Sequence, residues 1–267
     1  MNPAPAGRCN ELLSSGRPRI MGILNLTPDS FFTTVAYSTE EAIERVFEMA
    51  DEGADIIDIG GESTRPGATP VSPEEEISRI IDVIRETAPS LSVPISVDTM
   101  HPETAEAALD AGASIINDVG GLRDDKMMRI VSSAGVPVVV MHMHGTPETM
   151  QLHTMQGNVI QQISDFFDET ITKALNSGVK ERNIILDPGI GFGKTFQQNI
   201  DIIENLRKMS KGHTLLTGTS MKSFLSHAYS VIPRRKASVL SAVMCVKNGA
   251  DIVRVHNVKG TATALRH

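Results

Sequence analysis

Cysteine is scarce in this chain of 267 residues. The two that occur, Cys9 and Cys245, form no C-x-x-C pair and adjoin no tight histidine cluster, so they read as ordinary thiols in a reducing compartment. Long apolar runs are missing as well. The opening stretch MNPAPAGRCNELLSSGRP lacks an apolar h-region, so no signal peptide is expected there, and no run approaches membrane-spanning length. Basic excess is the third absence. A formal net charge of −7 denies the chain the electrostatic footprint of a nucleic-acid binder, and no Lys/Arg run suggests a membrane surface. An anionic small substrate would then need a local cluster of Arg and Lys. A nucleotide loop is absent too, although ILDPGIGFGKT at 185–195 suggests one. Gly193, Lys194 and Thr195 fit the end of G-x-x-x-x-G-K-[ST], but the place of the first glycine is taken by Pro188, which has no N–H to offer a phosphate. The glycines at 189, 191 and 193 also miss the G-x-G-x-x-G spacing of a dinucleotide fold.

What the chain does have is alternation. Short β-rich runs (RIMGILN, DIIDIG, PISVD, SIINDV, PVVVMHM, NIILD, TLLTG and DIVRVH) are separated by amphipathic helical stretches such as TEEAIERVFEMADEG and SPEEEISRIIDVIRETA. The helices open on capping and acidic first-turn signals and close on glycine, as at Gly53, Gly112, Gly135 and Gly178. Eight strands at even spacing favour a single-domain (β/α)8 TIM barrel over an open doubly wound sheet. The expected division is a loose leader at 1–18, rich in Pro, Gly and Ser, followed by one barrel domain at 19–267.

An internal repeat strengthens the barrel reading. EGADIID begins at Glu52, AGASIIN at Ala111 and NGADIVR at Asn248, and five residues after each glycine stands a polar residue: Asp58, Asn117 and Arg254. Equal register in parallel strands puts these three at one height, and the two-residue strand period aims them to one side, near the strand ends where barrel enzymes build their sites. The same rule adds Asn25, Asp98, Asp187 and His256. Amides, carboxylates, an Arg and a His around one mouth suit a flat heterocycle with several N–H and C=O groups. The loops bring positive charge through Arg65, beside Ser63 and Thr64, and through Lys222, between Ser220 and Ser223. With Arg254 and His256 they suggest a phosphate-bearing substrate.

These segments resemble the dihydropteroate synthases of the pterin-binding barrel family. The resemblance rests on GILNLTPDSF, GADIIDIGGESTRPGA, SVDT, INDVGGL, MHMHGTP, ILDPGIGFGKT, KSF and RVH, in family order over nearly all of the chain after residue 18. It implies transfer of a pterinylmethyl group: 4-aminobenzoate attacks a hydroxymethyl-dihydropterin diphosphate, giving dihydropteroate and diphosphate in folate biosynthesis. It places the pterin on Asp98, Asn117, Met141, Asp187 and Lys222, and the diphosphate on Asn25, Thr64, Arg65, Arg254 and His256. The aminobenzoate falls near Pro66, Gly67 and Ser223. Asn25 is the expected Mg²⁺ ligand, and Asp98, Asp187, Lys222 and Arg254 carry the catalytic work, with Asp58 in support. A homodimer and a sulfonamide target are also implied, while the ordinary thiols and the lack of a signal-peptide or membrane-spanning run lead to the expectation of a soluble cytoplasmic protein.

The chain departs from the family at several points. Where the family's first loop reads TPDSFxDGG, this chain has Thr33, Thr34 and Val35; Met221 replaces an Arg, and Asn257 and Gly260 alter the start of the last helix. The departures concentrate on the second-substrate side. Of the remaining patterns, His142 and His144 read as strand residues rather than a metal pair, Phe166 and Phe167 as helix packing, and the 233–236 PRRK run as a solvated helix start. A pterin-dependent methyltransferase or a non-catalytic pterin-binding barrel are the competing functions.

Overall fold

A computed structural model describes residues 16–27, 37–64, 67–146, 149–150 and 154–266. Eight parallel strands close into a barrel in chain order: β1 (Arg19–Asn25), β2 (Ile56–Gly60), β3 (Ile95–Asp98), β4 (Ile115–Asp118), β5 (Val138–Met141), β6 (Ile184–Asp187), β7 (Thr214–Thr217) and β8 (Ile252–Val255), with β8 paired back to β1. Every strand falls within a run expected from the sequence. The changing hydrophobic period explains why: alternation of inward and outward residues over four to seven positions gives way to amphipathic stretches that can only pack as helices.

The helices are α1 (Thr39–Asp51), α2 (Pro73–Thr87), α3 (Pro102–Ala111), α4 (Asp125–Ala134), α5 (Val159–Asn176), α6 (Phe196–Glu204), α7 (Leu206–Met209), α8 (Leu225–Ala228), α9 (Arg234–Lys247) and α10 (Val258–Leu265). Ser38 caps α1 through a reciprocal bond with Glu41, and Thr195 caps α6 in the same way with Gln198. The stretch 198–210, which reads as one helix, breaks at Asn205, whose side-chain amide donates to the Asp201 carbonyl at 2.8 Å and competes with the backbone ladder. Asn257 caps α10 by accepting from the Gly260 amide at 3.0 Å, so these two residues serve the helix start.

Two apolar layers hold the barrel. The outward strand residues, Ile57, Ile59, Val97, Ile116, Val140 and Leu186 among them, pack against helix residues such as Val46, Met49, Ile80 and Ile163. The inward residues form a separate core of Met21, Ile56, Ile115, Val139, Ile185, Leu216 and Ile252. Strand tilt decides which inward residues share a level. Asp58 pairs with Ser96, and Ser96 with Ile115, two residues short of Asn117. Asn117 pairs with Val139, and Val139 with Ile185, two short of Asp187. Arg254 pairs with Met21, and Met21 with Ile56, two short of Asp58. Each step between alternate strands therefore climbs two residues, as a tilted eight-stranded barrel requires. The consequence is a stack of four-membered layers. Ile56, Ile115, Ile185 and Ile252 form an apolar one; Met21, Ser96, Val139 and Leu216 lie above it; then comes a wholly polar layer of Asp58, Asn117, Asp187 and Arg254. Ile23, Asp98, Met141 and Gly218 complete the top.

Candidate active site

The polar layer and the one above it floor a cavity of about 410 Å³ at the C-terminal ends of the strands. Of the expected pterin residues, Asp98, Asn117, Met141, Asp187 and Lys222 all line it. So do Asn25, Thr64, Arg254 and His256 from the diphosphate set, and Ser223 from the aminobenzoate set. Gly67 does not: it is an exposed turn residue at φ 76°. Arg65, Pro66 and the altered first-loop residues Thr33, Thr34 and Val35 lie outside the described residues.

Asp58 organises the floor without reaching the cavity. It is completely buried, and its Oδ2 accepts from Arg254 Nε at 2.6 Å and from Asn117 Nδ2 at 3.0 Å. That second bond turns the Asn117 amide oxygen away from Asp58. Arg254 Nη2 donates in turn to Asp98 Oδ2 at 2.5 Å, so one guanidinium bridges two carboxylates from β2 and β3. Burial drives the Asp98 carboxyl up to about 7 despite the Arg254 charge beside it, and the nearby Asp58 charge adds to the rise. Burial alone would lower Arg254, but the two carboxylates outweigh it and hold the guanidinium firmly protonated.

Asp187 explains ILDPGIGFGKT. It ends β6, and its Oδ1 accepts the Gly189 N–H at 2.8 Å. Each carboxylate oxygen has two lone pairs, so this bond fixes the group while leaving it able to take further N–H donors. Burial raises Asp187 above the usual carboxylate range, against the pull of Lys222. Gly189 sits at φ 65°, and a Cβ there would collide with the His142 carbonyl oxygen; only glycine lets the turn fold this tightly. Lys194, the residue that imitates a phosphate-loop lysine, is buried and donates to the carbonyls of Gly189 at 2.8 Å, Phe192 at 3.0 Å and His142 at 3.2 Å. The lysine is a staple for the turn.

Lys222 approaches from the β7 side. Its ammonium donates to the Ile190 carbonyl and lies 4.3 Å from the centre of the Phe192 ring. Burial lowers it to about 8, with Asp187 opposing the fall. Met221 beside it holds a left-handed φ of 62°, pinned by its N–H to Ser238 Oγ at 2.9 Å. Across the mouth, Ser220 Oγ and His256 Nδ1 are 2.9 Å apart. The loop after β2 is braced from outside: His101 Nε2 meets Glu62 Oε2 at 2.9 Å, and Arg79 donates to the Gly61 carbonyl at 2.6 Å. Thr99, next to Asp98, donates to the buried Glu76 at 2.6 Å.

Several residues of the wall were not picked as site residues from sequence. Phe192 and Glu62 both line the cavity, as does Arg234. Arg234 does begin α9, as the PRRK run suggests, yet it also faces this cavity. A lone aromatic inside a glycine-rich turn was the available signal for Phe192, since such a turn cannot bury it in its own helix. His142 is buried edge-on against Phe166 with ring centres 5.1 Å apart, and burial lowers it to about 3. Among the described residues, the donors close enough to share one cation are Glu62, Glu76 and His101, so His142 and His144 form no such cluster.

Residues 21–256 match the family described as pterin binding enzyme. The chain is 45% identical to the dihydropteroate synthase of Bacillus subtilis, over 91% of this chain and 85% of that one. It belongs to the dihydropteroate synthase family. The Clostridium beijerinckii dihydropteroate synthase is 42% identical over 94% of this chain and 93% of its own. In three dimensions the chain superposes on the Xanthomonas albilineans dihydropteroate synthase with 4-aminobenzoic acid at a TM-score of 0.87 and 39% identity, covering 94% and 92% of the two chains. The Yersinia pestis dihydropteroate synthase, solved as a sulfonamide drug complex, gives 0.89 at 36% identity with the same coverage. Membership of the dihydropteroate synthase family and the barrel expected from the alternation agree.

Proposed function

We propose that this chain is a transferase that condenses 6-hydroxymethyl-7,8-dihydropterin diphosphate with 4-aminobenzoate, releasing diphosphate and 7,8-dihydropteroate. The observation that carries the reading is the juxtaposition in one cavity of a polar layer built for a flat heterocycle with a cationic rim for its leaving group. A Xanthomonas albilineans relative solved with 7,8-dihydropteroate, 36% identical and covering 94% of this chain, supports it. In this reading Asp187 and Asn117 bond the aminopyrimidine edge, Asp98 and Lys222 meet the remaining ring donors and acceptors, and Met141 packs on the ring face. Arg254, His256, Thr64 and Arg65 take the diphosphate, and Ser223 borders the aminobenzoate.

The chemistry follows from where charge gathers. The methylene–oxygen bond breaks and its electron pair leaves with the diphosphate, where Arg254 and His256 stabilise it. The electron-rich ring shares the positive charge left on the methylene, close to the Asp98 and Asp187 carboxylates. The arylamine is neutral at pH 7, so it attacks without a strong general base and then loses its proton.

Mg²⁺ enters this reading through Asn25, the last residue of β1. Gly60 keeps the space beside it open: a Cβ there would stand 3.7 Å from Asn25 Oδ1 and 3.3 Å from Asp98 Cβ. One hard amide oxygen fits a cation that keeps several waters and takes its other ligands from a substrate phosphate. When bound, the ion would neutralise charge on the leaving group.

A homodimer is part of the same proposal, supported by Leu240 and Met244, one turn apart on α9 and 49% and 46% exposed, and by the similarly exposed Phe196 at the start of α6. A cytoplasmic setting is supported by Cys245, a buried free thiol. The deciding experiment mixes the chain with the pterin diphosphate, Mg²⁺ and 4-aminobenzoate and follows diphosphate release together with dihydropteroate. Both should appear in equal amounts. Pterin binding without release would mark a binding protein, and indifference to the diphosphate would mark a methyltransferase.

A further inference from the structure

Among the described residues, three Arg and Lys side chains line the cavity: Lys222, Arg234 and Arg254. Arg254 is committed to Asp58 and Asp98, and Lys222 lies over Phe192 within the field of Asp187. Arg234 is different. Among the described residues it forms no ion pair with a carboxylate, yet it lines the same cavity as Met221, Lys222 and Ser223. Its Nε and Nη2 both donate to Ser226 Oγ, at 3.2 and 2.9 Å, which anchors one edge of the guanidinium on α8. The fork is thereby oriented while its other nitrogen, Nη1, stays available. On this wall Met221 offers no charge, and its side chain stands where it leaves the left-handed turn at φ 62°.

We infer that Arg234 selects the acceptor: its guanidinium recognises the carboxylate of an arylamine acid in the cavity it lines with Lys222 and Ser223. The inference rests on the reaction proposed above and names the residue that distinguishes an anionic acceptor from a neutral one. A planar guanidinium matches a carboxylate in shape as well as charge, and its exposed position suits a substrate that arrives and leaves each turnover. Ser223, on the same wall, adds a hydroxyl donor.

The test compares 4-aminobenzoate with its neutral isostere 4-aminobenzamide at saturating pterin diphosphate. In the wild type the benzoate should have the higher kcat/KM. In R234M that preference should fall about 10- to 100-fold, carried by the KM for the benzoate, as expected for loss of a charge-assisted bond. R234K should keep part of it, S226A should keep most of it, and adding M221R to R234M should restore some of it by returning a cation to the wall. The wild type supplies an independent reading that needs no variant: raising salt should erode the benzoate-to-benzamide ratio, because an exposed guanidinium is screened. A ratio that survives both salt and R234M overturns the inference while leaving the reaction intact. Absence of diphosphate release from the wild type with either amine overturns the reaction itself.

Discussion

Asp58 is the residue whose replacement tests the polar layer most directly. It never reaches the cavity, so any effect of Asp58→Asn on the reaction must travel through Arg254 and Asn117. Removing one partner of a fully buried ion pair costs about 3–5 kcal/mol when the other charge is left alone. Here Arg254 keeps Asp98, its side chain is 20% exposed, and an Asn oxygen can still accept from Nε, so about 1.5–3 kcal/mol is the reasonable figure. For a chain of this length that corresponds to a fall in Tm of roughly 3–12 °C.

The sharper signature of Asp58→Asn is in the pH profile. The Asp98 carboxyl lies at about 7 against an ordinary 3.8 because burial outweighs Arg254, and the Asp58 charge adds to the rise. Deleting that charge and releasing Arg254 to serve Asp98 alone both lower it. The sign for stability follows. A carboxyl whose pKa is raised by folding binds its proton more tightly in the native state, so the wild type loses stability as pH climbs from about 4 to about 7. In the variant this slope should flatten. The acid limb of kcat/KM for the pterin diphosphate should also move below 7, with the value at its maximum reduced about 10- to 100-fold as Arg254 leaves its position. Thermal melts at several pH values and initial rates across pH 5–9 measure both. An acid limb that stays in place, together with a Tm within about 1 °C of wild type, refutes the coupling of Asp58 to Asp98.

The wild-type profile itself should be bell-shaped in kcat/KM for the pterin ester, rising as Asp98 ionises near 7 and falling as Lys222 loses its proton near 8; a flat profile between pH 6 and 9 would dissociate both groups from ring binding. Gly189→Ala should leave little folded protein that binds pterin, because the new Cβ meets backbone and the φ of 65° is unfavourable, and calorimetric titration with a pterin checks it. Lys194→Met removes a donor shared by three carbonyls, through two buried bonds and one part-buried, and should lower stability by about 2–4 kcal/mol in denaturant melts, more than a surface lysine could. His101→Ala, by contrast, loosens a partly exposed pair with Glu62, so it should cost under about 1 kcal/mol in melts while raising the KM for the pterin diphosphate several-fold.

The barrel was legible because its signal is repeated eight times. Each strand announces itself by a short apolar run, and many of the helices by a cap such as Ser38, Ser72 or Asn158 or by a glycine beyond the end, as at Gly112 and Gly135. Polar residues at strand ends were legible for the same reason: in a run like NIILD the one charged residue must either face a site or be buried at a cost. Contacts between elements were not legible. Nothing in the sequence says that Arg254 on β8 spans to Asp98 on β3, since their separation of 156 positions is closed only by the barrel. Nor does a basic run at a helix start reveal that Arg234, exposed like its neighbours, also borders the cavity. Lys194 shows the opposite failure, in which a strong local pattern suggests phosphate chemistry and the tertiary fold spends the lysine on three carbonyls.

Asp187 shows how far a register argument reaches. The repeat that aligns Asp58, Asn117 and Arg254 depends on a glycine five residues upstream of each, after which the chain enters its strand at once. Before β6 the corresponding glycine is Gly178, nine residues upstream of Asp187, and the extra length is taken up by Val179, Lys180 and the 3₁₀ turn Glu181–Asn183. Asn183 fastens that turn to the preceding unit by donating to the Gly135 carbonyl at 2.8 Å, and the strand then starts one residue earlier than the other three, at the outward Ile184, so that Ile185 joins Ile56, Ile115 and Ile252 in the inner core. The insertion is therefore absorbed at the bottom of the barrel, and the inward row still climbs two residues per alternate strand to place Asp187 in the polar layer. A layer assembled by barrel geometry tolerates variation below it, whereas shifting β6 by one residue would turn Asp187 outward into the apolar shell occupied by Leu186. That is why the site depends on the register of four strands more than on any loop that joins them.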